Sequence, residues 1–576
     1  MQLSENALKA LRARYLLKDE KGRVAETPEE MMRRVARHVA AAERFYGEDA
    51  PAWEERFYGL LAGLRFLPNS PALMNAGRSL GQLAACFVLP VEDSMESIFG
   101  TLKNAALILQ SGGGTGFSFS HLRPKSDLVR STMGVASGPV SFMKIYNTAT
   151  NVIKQGGARR GANMGVLRVD HPDILDFIKA KREAGELTNF NISVAVTDAF
   201  MTALRKDGLY ELINPRTKEP VKKVRAKDVF DGIVACAWET GDPGLVFIDV
   251  INRANPTPKL GRIESTNPCG EQPLLPNEAC VLGSLNLSKY VLSGSAPKAD
   301  YGSLGEDVSA AVRFLDDAID VNHYPMPEVE TMHKGNRKTG LGVMGWADML
   351  ILLGIQYDSR EAFALARKLM KFINETAHAA SALLAEKRGP FPNFRDSIWN
   401  RPGARPLRNA TLTTVAPTGT ISLIADCSSG IEPIFKIAYK RLVLDTELFD
   451  VNKYFVSIAR ERGFYSDQLM QKVIKKGMLK GIREVPEDVK KIFRTAHEIA
   501  PEDHIEMQAS FQRHCDNAVS KTINLPREAT KADVAKAYLF AYDKGCKGIT
   551  VFRSGTKKKG TLVKLTEFTN LADLVD

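Results

Sequence analysis

The chain has 576 residues, of which 44% are apolar and 25% charged, with a formal net charge of +11; this is the composition of a globular protein with a sizeable core, not of a disordered or fibrous chain. It holds no run of about eighteen apolar residues, which excludes a spanning helix, and residues 1 to 21 mix charges with apolar residues, which excludes a signal peptide and points to the cytoplasm. Seven cysteines, Cys86, Cys236, Cys269, Cys280, Cys427, Cys515 and Cys546, form an odd set with no C-x-x-C pair, which argues against a secreted disulfide framework, a structural zinc site or any other metal site.

In chain order, Thr27-Pro28-Glu29-Glu30 is a capping box with proline at the first helical position, and Met31, Met32, Val35, Ala36, Val39 and Ala40 follow at helical spacing. Residues 1 to about 65 therefore read as a small helical N-terminal region. From 66 to 556, strand candidates at 245–248, 412–415 and 549–552 alternate with amphipathic helices such as the one carrying Phe363, Ala366, Met370 and Ala377. That alternation predicts an α/β fold and leaves the strand number open. The run Gly112-Gly113-Gly114-Thr115-Gly116 lacks the lysine of a P-loop and the third glycine of a dinucleotide fingerprint. Residues 557 to 576, opening on Lys557-Lys558-Lys559-Gly560, read as a basic tail.

Asn267-Pro268-Cys269-Gly270-Glu271 puts an amide, a thiol and a carboxylate into five residues, and Cys280 follows shortly after. The surrounding prolines and glycines forbid a helix or central strand and predict a rigid loop. The thiol could be nucleophile, reductant or radical carrier, or an inert core cysteine. Further on, Pro417-Thr418-Gly419-Thr420-Ile421-Ser422 follows the strand candidate and is expected to open a helix whose free N–H groups face a phosphate, although strand-to-helix turns with glycine are common. The positive charge suits polyanionic ligands, but a solvated basic surface gives the same count.

Six segments in this order carry a family resemblance: Gly81-Gln82-Leu83-Ala84-Ala85-Cys86-Phe87-Val88-Leu89-Pro90, Ser111-Gly112-Gly113-Gly114-Thr115-Gly116, Lys154-Gln155-Gly156-Gly157-Ala158-Arg159-Arg160-Gly161-Ala162, the Asn267 to Glu271 loop, Ala416-Pro417-Thr418-Gly419-Thr420-Ile421-Ser422, and Gly545-Cys546-Lys547-Gly548-Ile549-Thr550. The chain resembles the catalytic chains of ribonucleotide reductase over nearly its whole length, and among them the adenosylcobalamin-dependent class II enzymes. The resemblance implies a ten-stranded α/β barrel of two five-stranded halves, with the catalytic cysteine on a finger loop running through it. It implies reduction of ribonucleotides, read as diphosphates, by a thiyl radical on Cys269, with Glu271 as base, Asn267 orienting the ribose hydroxyls, and Cys86 and Cys280 as the reducing pair.

Substrate contacts implied by the same match are Ser70, Ala85, Gly114 and the run Pro417, Thr418, Gly419, Thr420, Ile421 and Ser422. A deoxynucleotide or ATP effector would meet Asp93, Ser94 and Met95, with Arg123 and Arg130 on its phosphates, while Gln155, Arg159 and Arg160 belong to the first specificity loop and 180–190 to the second. Ile549-Thr550-Val551-Phe552-Arg553 has no tyrosine where class I chains carry their radical-transfer pair, and no glycyl-radical loop is seen, which leaves adenosylcobalamin as cofactor. The expected partners are nucleotides, a thioredoxin-like or small-dithiol reductant and a second copy in a homodimer, with no membrane and no direct nucleic acid. A class I-like subunit with a separate radical generator and a catalytically silent nucleotide-binding regulator are the alternatives. The last cysteine is Cys546, so the cysteine-bearing tail usual in class II relatives is expected to be truncated or replaced by another thiol.

Overall fold

In the computed structural model of the chain, which describes residues 1, 3–129, 133–155, 159–183, 185–443, 446–556 and 562–563, the capping box at Thr27 is formed. The Thr27 hydroxyl accepts from the Glu30 N–H and the Glu30 carboxylate accepts from the Thr27 N–H, opening helix α1 (Pro28–Ala40). The six apolar positions spaced along α1 are all buried, and they join Phe57, Leu60 and Leu61 of α2 (Ala50–Ala62) in one core cluster. Most of the basic tail expected at 557–576 lies outside the described residues.

After the short strand β1 (Phe66–Pro68), five strands run parallel in the order β2 (Cys86–Leu89), β3 (Gly114–Ser118), β4 (Asn163–Arg168), β5 (Phe190–Val196) and β6 (Gly244–Phe247). A second parallel set comprises β7 (Ala279–Asn286), β8 (Thr339–Met344), the segment 412–415, β9 (Thr522–Leu525) and β10 (Gly548–Arg553). The two sets meet antiparallel at both seams, β7 on β2 and β10 on β6. The result is a closed ring of two five-stranded halves, as the family resemblance implied. β1 lies antiparallel against the far end of β7. All eight residues of β7, Ala-Cys-Val-Leu-Gly-Ser-Leu-Asn, are buried, as expected of a strand covered on both faces.

The expected strand at 412–415 is only partly realised, with single bridges Leu341↔Thr413 and Val415↔Val519. The reason is local: the Asp516 carboxylate accepts from the Leu412 N–H (2.9 Å) and the Thr413 N–H (3.4 Å), so a side chain takes donors that a regular ladder would use. The expected strand at 245–248 is shifted by one residue, because Ile248 already opens a short helix.

The helical N-terminal region is fixed to the barrel by a charge network closed off from water. Glu43 accepts from Arg313 of α3 (Tyr301–Asp320) at 2.6 Å and from Arg388, the last residue of α4 (Arg360–Arg388), at 2.7 Å. Arg388 also holds Asp317 (2.6 Å), while Arg337 and Arg408 hold Asp316 (2.8 and 3.3 Å). Removing one member of such a set leaves a partner charge buried alone, which costs about 3–5 kcal/mol. Among the described residues, no helix is long and apolar enough to cross a membrane.

Candidate active site in the barrel

Between β6 and β7 the chain turns into the ring. Ser265–Thr266 and Pro273–Leu274 pair as a two-residue hairpin, and residues 267–272 form its tip. The tip is a rigid loop with no regular helix or strand: the Asn267 carbonyl accepts from the Gly270 N–H, and the Asn267 side-chain oxygen accepts from the Gln272 N–H at 3.0 Å. Gly270 sits at φ 81°, a left-handed conformation that a residue with a Cβ rarely adopts.

Glycines on the barrel wall make room for this finger. A Cβ on Gly116 would lie 1.7 Å from the Thr266 carbonyl oxygen, and one on Gly114 would lie 2.9 Å from the Pro268 ring. On the opposite wall a Cβ at Gly340 would lie 2.5 Å from the Gln272 amide nitrogen. The finger is also tied down on both sides. The Asn191 amide of β5 donates to the Pro268 carbonyl (2.8 Å), and the Glu271 carbonyl accepts from the Thr414 hydroxyl and the Ala518 N–H (both 2.9 Å).

Cys269 is exposed at the finger tip, on the wall of a cavity of about 1690 Å³ that also reaches Asn191, Pro417, Ser422, Lys521 and Tyr454. Glu271 is buried, and burial pushes its carboxyl up to about 7 against the opposing pull of its own N–H and the Asn267 amide. Among the described residues its Oε2 has no hydrogen-bond partner, so a carboxylate that can take up or release a proton near neutrality keeps an acceptor in reserve. Asn267, also buried, donates from its amide to the Cys86 sulfur at 3.1 Å.

Cys86 and Cys280 are far apart in the chain but face each other across the seam, since Cys280 is the register partner of Cys86 in the β7–β2 pairing. Opposed residues in an antiparallel pair are about 4.5–5.5 Å apart at Cα, within the range a disulfide spans. Both are buried, and burial pushes both thiols well above the usual cysteine range.

The remaining expected contacts fall in several places. Ser70 begins a short helix beside β7, held there by Asn69, whose N–H donates to the Leu282 carbonyl (2.8 Å), and its hydroxyl lies 2.7 Å from the buried Tyr15 hydroxyl. The Ala85 carbonyl accepts from the Gly114 N–H (2.8 Å), which puts both next to Cys86. The run from Pro417 forms a turn and then opens a helix, as expected, which is a single turn, Ile421–Ile424. Thr418 is left-handed (φ 53°) and takes the Gly430 N–H on its hydroxyl, and the chain leaves the turn at Asp426, also left-handed. Gly419 and Thr420 lie between Thr418 and that turn, and the Ser422 hydroxyl meets Ser429 at 2.9 Å.

Asp93, Ser94 and Met95 lie at the start of a helix (Met95–Gln110) that Ser94 caps, with Met95 mostly exposed. Arg123 is ion-paired with Asp93 at 2.8 Å. The next charged neighbour, His121, bridges Glu92 (2.9 Å) and Glu264 (2.8 Å), and these carboxylates, Glu264 foremost, push it up to about 9. It thereby joins the Asp93 region to the base of the finger. Arg130 lies outside the described residues. Gln155 and Arg159 are backbone partners in a two-residue hairpin that also pairs Arg160 with Lys154, and their side chains lie outside the description.

Residues to which the sequence assigned no part in the site complete it: Thr414 and Asn191, which hold the finger, Gly116 and Gly340, which admit it, and a buried Glu278–Lys338 ion pair (2.6 Å) next to Cys280 in the chain. The alternate glycines in Gly340-Leu341-Gly342 were a legible sign of close backbone approach. Among the described residues no group of three His, Cys, Asp or Glu side chains is arranged to hold a metal ion.

Comparison with known proteins follows the same division of the chain. The model of the ribonucleotide reductase barrel domain matches residues 84–552, and that of the ribonucleotide reductase all-alpha domain matches residues 1–81. The chain is 52% identical to a vitamin B12-dependent ribonucleoside-diphosphate reductase of Thermoplasma acidophilum and 54% identical to one of Mycobacterium tuberculosis, in each case over 97% of this chain and 80% of the relative. Among solved structures, the Actinobacillus ureae class Id ribonucleotide reductase alpha subunit has the same fold, with a TM-score of 0.80 at 24% identity, over 96% of this chain and 97% of that one.

Proposed function

The chain belongs to the ribonucleotide reductase family, and on that premise we propose that it reduces ribonucleoside diphosphates to 2′-deoxyribonucleotides with adenosylcobalamin as radical source. The observation that carries this reading is the grouping at the finger: an exposed thiol at Cys269 and a buried carboxyl at Glu271 on the finger itself, and a facing thiol pair at Cys86 and Cys280 on the strands beside it. Relatives at 52–54% identity named vitamin B12-dependent support the choice of cofactor.

The cavity beside Cys269, at about 1690 Å³, exceeds the roughly 300–1,000 Å³ of an ordinary small-molecule site. It is larger than a nucleotide alone needs, and Ser193, Asn524 and Tyr454 on its wall would meet a corrin-sized cofactor. When bound, adenosylcobalamin supplies a radical equivalent. The chain's own part begins at Cys269, whose sulfur takes the 3′-hydrogen of the ribose. Glu271 accepts the 3′-hydroxyl proton on its unpaired oxygen, and Asn267 orients the ribose hydroxyls. Cys86 and Cys280 supply two protons and two electrons as they join in a disulfide: one proton leaves with the 2′-hydroxyl as water and the other goes to C2′, after which Cys269 returns the hydrogen to C3′ and Glu271 the proton to the 3′-oxygen.

The reading extends to effector control at Asp93, Arg123 and Arg130, to re-reduction by a thioredoxin-like or small dithiol, to a cytoplasmic location and to a homodimer. The homodimer is supported by apolar side chains left outside: Met95, Phe99 and Leu107 on one helix, and Ile145 and Val152 on the helix Pro139–Val152, a concentration unusual for a lone chain. Incubation with labelled nucleoside diphosphate, dithiothreitol and adenosylcobalamin tests the whole proposal. Deoxynucleotide formed only with all three supports it, and turnover that requires a second protein as radical source overturns it.

A further inference from the structure

After each turnover the proposed Cys86–Cys280 disulfide has to be opened by an outside thiolate, which can attack either sulfur and expel the other. The inference here rests on that reading of the pair, and the surroundings of the two sulfurs are not equivalent. Cys86 faces the finger: the Asn267 amide donates to its sulfur at 3.1 Å, and it lies within electrostatic range of Cys269 on the cavity wall. Cys280 is fully buried and has a different neighbour. The register Val281↔Thr339 between β7 and β8 sets Lys338 beside Cys280. The Lys338 ammonium lies 2.6 Å from the carboxylate of Glu278, which is two residues before Cys280 and so points to the same face of its strand.

Lys338 and Glu278 are each only 1% exposed, and Glu278 also accepts from the Leu275 N–H (2.6 Å) and the Asn336 amide, so the ammonium is held in place. Of the charges facing Cys280, those of Glu278 and Glu271 push its thiol up together with burial, and Lys338 alone pulls it down.

We propose that Lys338 makes Cys280 the leaving sulfur, so that the reductant attacks Cys86. Thiol–disulfide exchange runs in line, and the better-stabilised thiolate leaves faster. A thiolate of an external dithiol, arriving from the finger side, bonds to the Cys86 sulfur as the Cys86–Cys280 bond breaks. The electron pair stays on Cys280, within the field of the Lys338 ammonium on the neighbouring strand. The second thiolate of the dithiol then attacks its own partner sulfur in the mixed disulfide and expels Cys86 as a thiolate. The dithiol leaves as a cyclic disulfide, oxidised by two electrons, and the two protons it gave up end on Cys86 and Cys280.

The test needs no reductase turnover. The full chain is oxidised with diamide, exposed briefly to 2-mercaptoethanol, quenched with acid and mapped by mass spectrometry. The expected mixed disulfide is on Cys86, in roughly tenfold or greater excess over Cys280. An equal split, or an excess on Cys280, overturns the role of Lys338 and leaves the thiol pair intact. Failure of diamide to link Cys86 to Cys280 overturns both. Because Lys338→Met alone strands a buried carboxylate and can unfold the barrel, the variant of choice is Lys338→Met with Glu278→Gln. In that folded double variant the preference for Cys86 should fall to about threefold or less and re-reduction by dithiothreitol should slow about tenfold. An undiminished preference overturns the proposal.

Discussion

The finger and the Asp93 region are built on opposite plans. The finger is enclosed: glycines on both walls leave no slack around it, its Pro268 and Glu271 carbonyls are bound by side chains from both halves, and the Glu271 Oε2, without a partner among the described residues, points to work still to be done. The Asp93 region lies at the surface, and its charges are already matched, Arg123 with Asp93 and His121 between Glu92 and Glu264. A site that makes and breaks bonds gains from groups fixed before the substrate arrives. A site that reads alternative ligands has to exchange partners, and surface ion pairs of about 1 kcal/mol or less are easily exchanged.

The contrast can be broken most severely at Cys269. Cys269→Ser should remove all deoxynucleotide product, read with labelled substrate, and any retained turnover would show that the radical lies elsewhere. Next in size is Gly116→Ala, which drives a methyl into the Thr266 carbonyl; a loss of about 3 kcal/mol is expected, seen as a lower melting temperature and a poor yield of soluble protein. If Gly116→Ala melts like the parent, the finger is not clamped as described.

Glu271→Gln should lower kcat by roughly 10²–10⁴-fold, the usual range for a lost general base. In the parent, the carboxyl at about 7 has to be ionised to accept a proton, so kcat should rise as pH is raised through about 7 and fall below it. The variant should lose that limb. A pH profile flat from 6 to 8 in the parent would remove Glu271 from the role of base.

At the outer region the effects should be smaller. Arg123→Ala should reduce the stimulation of turnover by a deoxynucleotide effector about fivefold or more and change basal reduction little, whereas equal loss of both would show that Arg123 serves the substrate. Smallest of all, His121→Gln should blunt the same stimulation without abolishing it, because it cuts one link between Glu92 and Glu264.

The same contrast separates what was legible in the sequence from what was not. The α1 helix could be read because cap and periodicity are local, and the finger could be read as a loop because proline and glycine act on their own backbone. The meeting of Cys86 with Cys280 depends on a strand register set by two distant segments, and only the family resemblance anticipated it. The walls were missed for a related reason. Gly116 and Gly340 are specified by what lies across the barrel, and nothing local to Arg313, Asp316 and Asp317 signals that the fold brings Glu43, Arg337 and Arg388 against them. At 416–422 the motif was legible but its geometry was not, since left-handed residues at Thr418 and Asp426 cut the helix to one turn.

The weakest stretch of the ring has a consequence for how the molecule assembles. The segment 412–415 joins its neighbours by single bridges to Leu341 and Val519, and Thr414 and Ala518, which flank that join, are the residues that hold the Glu271 carbonyl. Pairings between segments so distant along the chain form late, after local structure is in place. The Glu271 carbonyl therefore ties together the two segments that meet at the weakest join of the ring, so that finger and ring hold each other there. The reactive loop is in this sense also the keystone of the barrel, and hydrogen exchange at the Ala518 amide should report the opening of both together.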